Sequence, residues 1–443
     1  MLSEDQIKAV KELKSWWYSG SAYHVLDGSA GTGKSFVVDT IIKEFPRAVP
    51  LLLAPTHKAL RQLREKTKGS YEFRTVASSL GLRPVDEGKA LAFEQIALPS
   101  IWDKVNVAII DEAGLLDEYQ LNLLRSIGMK ILFVGHKAQL PPVILNRSMF
   151  DLCESPVFEQ GYGQSHLWIP KRNTGELWDF NNALENNVYV SSMASKTRSR
   201  PTNLVTDTRF DISDKNLNGY FKTSEALKEI KDGIVKIALW TNEGVNNYNN
   251  KIRKLVFGEG KELYGKDDLV ITTNSVISFD GMEFMNDNQI LRHSKDGLDI
   301  YTDTDGRVQN VKRVVVQLNK HLKVECYKFY LLTELEGLVT LYSLVNHRDY
   351  KSIADYYEHI AWSRDTKQAK DKAYRDRATI LKCFAQVKHF YAATSHRLQG
   401  SSIPKVIVIQ SDINKNSNIV EKAKLTYVAC SRASKELMIY RGI

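Results

Sequence analysis

Cysteine is scarce: Cys153, Cys326, Cys383 and Cys430 are the four in 443 residues, and no two form a CxxC pair. The sequence therefore offers no zinc signature and no disulfide framework, and a reducing compartment is the default. Long apolar runs are missing too; none approaches the ~20 residues that span a bilayer. The opening stretch, MLSEDQIKAVKELKSWW, mixes charge with apolar residues at helical spacing and lacks the apolar centre of a signal peptide. A soluble, cytoplasmic protein with no membrane partner is the expectation. Charge of one sign is only modestly in excess, with 61 Lys and Arg against 52 Asp and Glu, a formal +9. That balance is compatible with a nucleic-acid partner and does not require one. No segment is of low enough complexity to be a flexible tail.

What is present is ordinary globular material, 43% hydrophobic and 26% charged, in a chain too long for a single core. Short apolar runs alternate with helical patterns in two regions. YHVLDG (23–28), AVPLLLAPT (48–56), VNVAIIDE (105–112) and KILFVGH (130–136) each lead into polar or Gly/Pro-rich turns. GIVKIALWTN (233–242), PKVIVIQSD (404–412) and the closing ELMIYRG repeat the style. Buried parallel strands read this way, with chemistry at their C-terminal ends. The expected fold class is α/β, with two lobes of similar type.

Two segments interrupt this pattern. LRPVDEGKALAFEQIALP (82–99) reads as a small hairpin around a turn-like Asp-Glu-Gly-Lys. Residues 290–385 begin with β-like runs and continue into about forty charged, helix-compatible residues, which fits a small β-barrel with a helical extension. SSMASKTRSRP (191–201), crowded with serine and basic residues, reads as an exposed loop.

Gly28, Ser29, Ala30, Gly31, Thr32, Gly33, Lys34 and Ser35 fit GxxxxGK(S/T) in full, between a strand and an apolar helical run. In such a turn, backbone N–H groups at a helix N-terminus wrap phosphates, where glycines permit close approach. Lys34 would meet the β- and γ-phosphates of ATP, and Ser35 would ligate Mg2+. Asp111 and Glu112 close the strand VAII, as an acidic pair able to hold the metal (Asp111) and polarise an attacking water (Glu112). Gln139, in VGHKAQLPPV, is fixed by two prolines and could report the state of the γ-phosphate. A phosphate cradle, a metal ligand and a base describe an NTPase of any kind, kinase or transporter included.

With these residues in order, the chain resembles superfamily 1B helicases of the RecD-like and Dda-like branch, closest to the phage Dda type. The resemblance runs through nearly the whole chain. LSEDQIKAV is similar to that family's adenine-reading segment, with Gln6 at the base. APTHKAL resembles motif Ia, RTVASSL the next motif with Ala77 in place of a histidine, and GHKAQLPPV motif III with His136 where the family usually has Asp. PKRNTGELW resembles motif IV at Arg172, and ALWTNEGVNNYNNKIR a further family segment. YAATSHRLQGSS, containing Gly400, looks like motif V, and LTYVACSRA, with Arg432, like motif VI. Arg172 and Arg432 would then neutralise charge on the γ-phosphate.

The resemblance implies two RecA-like lobes. Lobe 1A takes 1–81 and 100–165, and lobe 2A takes 166–289 and 386–443. Residues 82–99 would be a strand-separating pin, and 290–385 an SH3-like barrel with its helical extension. It further implies 5′-to-3′ movement on single-stranded DNA, action at duplex junctions, a monomeric motor and a role in replication or recombination beside single-strand-binding or recombination proteins. Thr56, His57, Thr241, Asn242, Thr394 and His396 follow apolar runs, where hydroxyl, amide and imidazole groups can bond phosphates, though each also suits a helix cap or turn. Phe93 would stack on a base at the fork, or else serve a small local core. Tyr356, Tyr357, Trp362 and Arg364 read as a helical face packed on the barrel. The alternatives are a DNA-stimulated ATPase that displaces proteins with little unwinding, and an NTP-dependent kinase or ligase, in which the late motifs have no place.

Overall fold

The computed structural model describes residues 2–442 apart from 46, 68, 87–90, 143–154, 172–174, 203, 205, 260–261, 275, 278–299, 302–303, 319–321 and 334–336. They form two compact units, Met1–Tyr220 with Ile234–Asn246 and Ala393–Ile443, and Phe221–Gly233 with Asn247–Ala392.

The first unit opens with helix Glu4–Tyr18, whose Ala9, Val10, Leu13 and Trp16 recur at helical spacing and are buried. Then come β1 (Tyr23–Gly28), β2 (Pro50–Ala54), β3 (Glu72–Thr75), the hairpin β4 (Leu82–Asp86) and β5 (Leu91–Gln95), β6 (Val107–Ile110), β7 (Lys130–Gly135) and β8 (Gly163–Leu167). Six of them make a parallel sheet in the order β3-β2-β6-β7-β1-β8. Its central strands are buried along their length, with Leu26, Leu52, Ile109 and Leu132 in one apolar cluster and Val25, Leu53, Ile110 and Phe133 in another. Apolar material on both faces explains their near-continuous hydrophobic sequence. Because β7 lies between β1 and β6, the turns after all three strands emerge along one edge of the sheet.

The hairpin β4–β5 is antiparallel, from Leu82 opposite Gln95 to Asp86 opposite Leu91. Gly81 enters it at φ +65°, and a Cβ there would collide with the Ala97 carbonyl, so the pinched base of the hairpin needs glycine.

The second sheet of this unit starts with β9 (Val235–Leu239). In the second unit, β10 (Leu269–Thr272), the short pair β11 (Val276–Ile277) and β12 (Ile300–Tyr301), β13 (Asp305–Gln317), β14 (Lys323–Thr333), β15 (Gly337–Leu344) and β16 (Val387–His389) follow. Five of these form an antiparallel sheet ordered β15-β14-β13-β10-β16. The Ala385 N–H donates to the Tyr342 carbonyl at 2.6 Å, so the chain entering β16 bonds β15 and curls the sheet toward a barrel. Val308, Phe329, Leu331 and Leu341 fill its interior. Helices Arg348–Trp362 and Lys367–Lys382 pack on one end through Ile353, Tyr357 and Ile380. Of the aromatic face read from sequence, Tyr357 is buried and Tyr356 packs beside it, but Trp362 is 75% exposed.

Back in the first unit, β17 (Ala392–Thr394), β18 (Ile403–Ile409) and β19 (Ala433–Tyr440) complete a second sheet ordered β17-β9-β18-β19, in which β18 runs parallel to β9 and β19. Two RecA-like α/β sheets are thus present. In the range 166–289, β8 ends in the first sheet at Leu167 and β10 belongs to the barrel sheet.

One sequence reading, the exposed loop at 191–201, is overturned in its first half. Residues 191–196 are the last turns of helix Glu176–Lys196, not an exposed loop. Ser191, Ser192 and Ala194 are buried there, on a helix that packs against helix Ile419–Cys430. Among the described residues, no helix is long and apolar enough to cross a membrane. Cys326, Cys383 and Cys430 are buried thiols, each pushed up to about 12 by burial, while Cys153 lies outside the described residues.

Candidate functional site

The turn after β1 is built for close approach. Gly33 sits at φ +86°, and a Cβ there would meet Gln6 Nε2 at 2.6 Å. Gln6 itself is buried, donating from Nε2 to the Thr32 carbonyl (3.0 Å) and accepting the Ser3 N–H at Oε1 (3.1 Å). The helix Glu4–Tyr18 therefore braces the turn from behind. Its Asp5 accepts the Trp168 and Ile169 N–H groups at 2.8 Å, which places Lys171 so that its N–H bonds the Gly31 carbonyl at 2.8 Å.

Lys34 opens helix Lys34–Glu44 and donates to the Gly28 carbonyl at 2.6 Å and the Ser29 carbonyl at 3.2 Å. Burial lowers its pKa, against the pull of Glu112, Asp111 and Asp27. Asp111, at the end of β6, is pushed up to about 6 by burial and by Glu112 beside it, while Lys66 and Lys34 oppose the shift. Glu112 adopts a left-handed backbone, φ +51°, a conformation that costs of order 1 kcal/mol outside glycine. This turn lets its N–H bond Asp111 Oδ1 at 2.9 Å and its carboxylate accept from Gln399 Nε2 at 3.3 Å.

A cleft of about 380 Å³ gathers Ala30, Gly31, Gly33, Lys34, Ser35, Asp111, Glu112 and Gln139 from the first sheet's edge with Gly400 and Arg432 from the segments of the second. Arg432 is 2% exposed, held by the Val428 carbonyl at 3.0 Å, Ser431 Oγ at 2.8 Å and the Ser401 carbonyl at 3.4 Å. Lys66 and Lys171 also line the cleft. Sequence reading missed both, because a lone lysine at the end of a helix or turn carries no pattern. Lys34, Lys66, Lys171 and Arg432 set four cations against the two carboxylates, which suits a polyanion carrying a bound divalent cation. Ser35 and Asp111 supply one hydroxyl and one carboxylate, the sparse donor set of Mg2+ that keeps phosphate and water ligands. Gln6 touches the phosphate turn but is not among the cleft's lining residues.

Comparison with known proteins adds to this geometry. Residues 1–157 match the model of an AAA domain, and residues 389–440 that of a UvrD-like helicase C-terminal domain. The whole structure superposes on the crystal structure of Pif1 helicase from Candida albicans with a TM-score of 0.51, at 19% identity, covering 100% of this chain and 95% of that one. The chain shares the fold of that solved helicase. An uncharacterized protein of Acanthamoeba polyphaga mimivirus is 24% identical over 98% of both chains. An uncharacterized protein of Methanocaldococcus jannaschii is 24% identical over 94% of this chain, which spans 36% of that protein's length.

Within the helicase fold, the residues expected at nucleic acid fall at strand ends. Thr56 follows β2, Thr241 follows β9 and Thr394 ends β17, and each hydroxyl accepts a backbone N–H at the start of the next helix: Ala59 at 3.2 Å, Gly244 at 3.0 Å and Arg397 at 3.3 Å. The helix-cap reading of all three is therefore realised. Thr241 also donates its hydroxyl proton to Asp412 Oδ1 at 2.9 Å. His57 and Asn242 are exposed on the first residues of their helices, and His396 is half-buried, its pKa lowered by burial. Lys58 Nζ donates to the Arg397 carbonyl at 2.9 Å and Ser401 Oγ at 2.6 Å, linking the segment after β2 to the segment after β17. Ala77 lies on the short helix Val76–Ser79, against the cluster of Val25, Leu53, Ile110 and Phe133. Phe93 stands on β5 opposite Pro84. Arg172 lies outside the described residues.

Proposed function

We propose that the protein is an ATP-dependent DNA helicase that moves 5′ to 3′ along single-stranded DNA and opens duplex at junctions. The observation that carries this reading is the single cleft in which Lys34, Ser35, Asp111, Glu112 and Gln139 face Gly400 and Arg432. Residues that grip phosphate on one sheet and residues that compensate its charge on the other make closure of the cleft depend on the nucleotide.

In this reading the glycine-rich turn and Lys34 cradle the phosphates, and Ser35 and Asp111 would hold Mg2+, which would supply neutralisation of phosphate charge. Glu112 accepts the proton of the attacking water, with Gln399 steadying its carboxylate. Arg432, with Arg172, offsets the negative charge on the γ-phosphate. Gln139 senses whether that phosphate is attached. Loss of the γ-phosphate removes the arginines' partner and releases the cleft. The helix starts after β2, β9 and β17 present N–H groups and polar side chains to a phosphate backbone without reading its sequence.

The test is ATP hydrolysis with and without single-stranded DNA. Strong stimulation that disappears in Lys34→Ala is expected. Equal rates in both conditions would reject a DNA-coupled motor and turn attention to RNA or to a small acceptor.

A further inference from the structure

Beneath the phosphate turn lies a cluster of ionisable groups that the hydrolytic mechanism does not use. Asp27, near the end of β1, accepts His136 Nδ1 at 3.1 Å, His166 Nδ1 at 3.1 Å and the Lys137 N–H at 3.3 Å. On the other side of the His136 ring, Nε2 lies 3.4 Å from Glu185 Oε1, within ion-pair distance but off the line of a hydrogen bond. Glu185, on helix Glu176–Lys196, accepts the hydroxyl protons of Ser29 (2.6 Å), Tyr189 (3.1 Å) and Tyr427 (3.4 Å). Ser29 belongs to the phosphate turn. Tyr427 stands on the helix that leads to Arg432, with its ring centroid 5.7 Å from that of His136. The His136 side chain is fully enclosed.

We infer that His136 is a positioning residue of the nucleotide site: as the cation between Asp27 and Glu185, it fixes the carboxylate that holds Ser29 and Tyr427, and so sets the phosphate turn against the Arg432 helix. This rests on the reading of the cleft as an ATP site. Two carboxylates on either side of one enclosed ring are tolerable only if both ring nitrogens carry a proton, making the ring a cation. A neutral ring would leave Glu185 with a buried, uncompensated charge. That carboxylate would then rearrange or take up a proton, and its grip on Ser29 would weaken. Burial favours the neutral imidazole, but Asp27 and Glu185 outweigh it and raise His136 to about 8. The groups facing the ring are Asp27 from β1, Glu185 and Tyr189 from helix Glu176–Lys196, Tyr427 from helix Ile419–Cys430, and His166 from β8 through Asp27.

The experiment is binding of a fluorescent ATP analogue, with Mg2+, between pH 7 and 9, where the terminal phosphate is already ionised. Wild type should lose about tenfold in affinity as pH rises, the worth of one hydrogen bond to a charged group. His136→Asn should bind at the weaker level throughout and lose the pH dependence. His136→Lys, a fixed cation, should keep the tighter level to higher pH, which separates the effect from titration of Lys34. In the double variant His136→Asn with Glu185→Gln, removal of both charges should recover most of the affinity, an outcome that a purely structural histidine would not give. Unfolding curves at pH 7 check that each variant is folded. If His136→Asn binds with the wild-type profile, or the double variant is no better than the single, the inference is overturned. If wild type binds no nucleotide, and Lys34→Ala changes nothing, it is the ATP-site reading that fails.

Discussion

His136 and Asp27 also make the stability of the fold depend on pH, with opposite signs. Burial disfavours the Asp27 carboxylate, but His136 and His166 outweigh it and hold its pKa well below the usual range. Its contribution is present above about pH 4 and is lost as pH falls. His136 is raised from 6.5 to about 8, so its contribution is complete below the lower value and is lost as pH rises through the higher one. The first unit should therefore be most stable between about pH 4 and 6.5 as far as this pair is concerned, and lose about 2 kcal/mol by pH 9. Urea unfolding at pH 6, 7, 8 and 9 measures it. A midpoint unchanged across that series would show that folding does not raise the pKa of His136. Nothing of this cluster was legible in the sequence, where Ser29, His136, Glu185 and Tyr427 are widely separated and belong to no common motif. His136 was visible there only as a residue out of place.

At the scale of elements, legibility followed chemistry that is local in the chain. The phosphate turn reads directly because its glycines, lysine and serine lie within eight residues between a strand and a helix, and the structure builds that arrangement at the end of β1. The acidic pair after β6 reads for the same reason. Helix Glu176–Lys196 was partly misread because its serines look like loop residues, whereas in the fold Ser191 and Ser192 are buried in the helix. The hairpin β4–β5 was legible from its turn-like tetrad, and it carries a prediction of its own. If β4–β5 is a strand-separating pin with Phe93 at the fork, Phe93→Ala removes a base stack worth roughly 1–3 kcal/mol and alters none of the residues that line the cleft. DNA-stimulated ATP hydrolysis should be retained while unwinding of a tailed duplex falls by about tenfold or more. An unchanged ratio of unwinding to hydrolysis would make Phe93 a local packing residue and favour a motor that clears proteins from DNA.

Across the whole molecule, the two α/β sheets and the barrel sheet were legible because each has its own hydrophobic rhythm, near-continuous in the parallel strands and alternating in the long antiparallel ones. Direction of travel is a different kind of property. It depends on which sheet holds the strand tightly at each stage of the nucleotide cycle, and no single residue encodes that order. The capped helix starts after β2, β9 and β17 would grip phosphates equally well for either direction, so 5′-to-3′ movement rests on resemblance to superfamily 1B alone. Two duplexes of one sequence, one with a 5′ single-stranded tail and one with a 3′ tail, isolate it. Opening of the 5′-tailed duplex should be faster at saturating ATP, and Lys34→Ala should abolish opening of both. Faster opening of the 3′-tailed duplex would reverse the assignment while leaving the motor intact, because the cleft proposed to couple hydrolysis to closure is the same for either polarity.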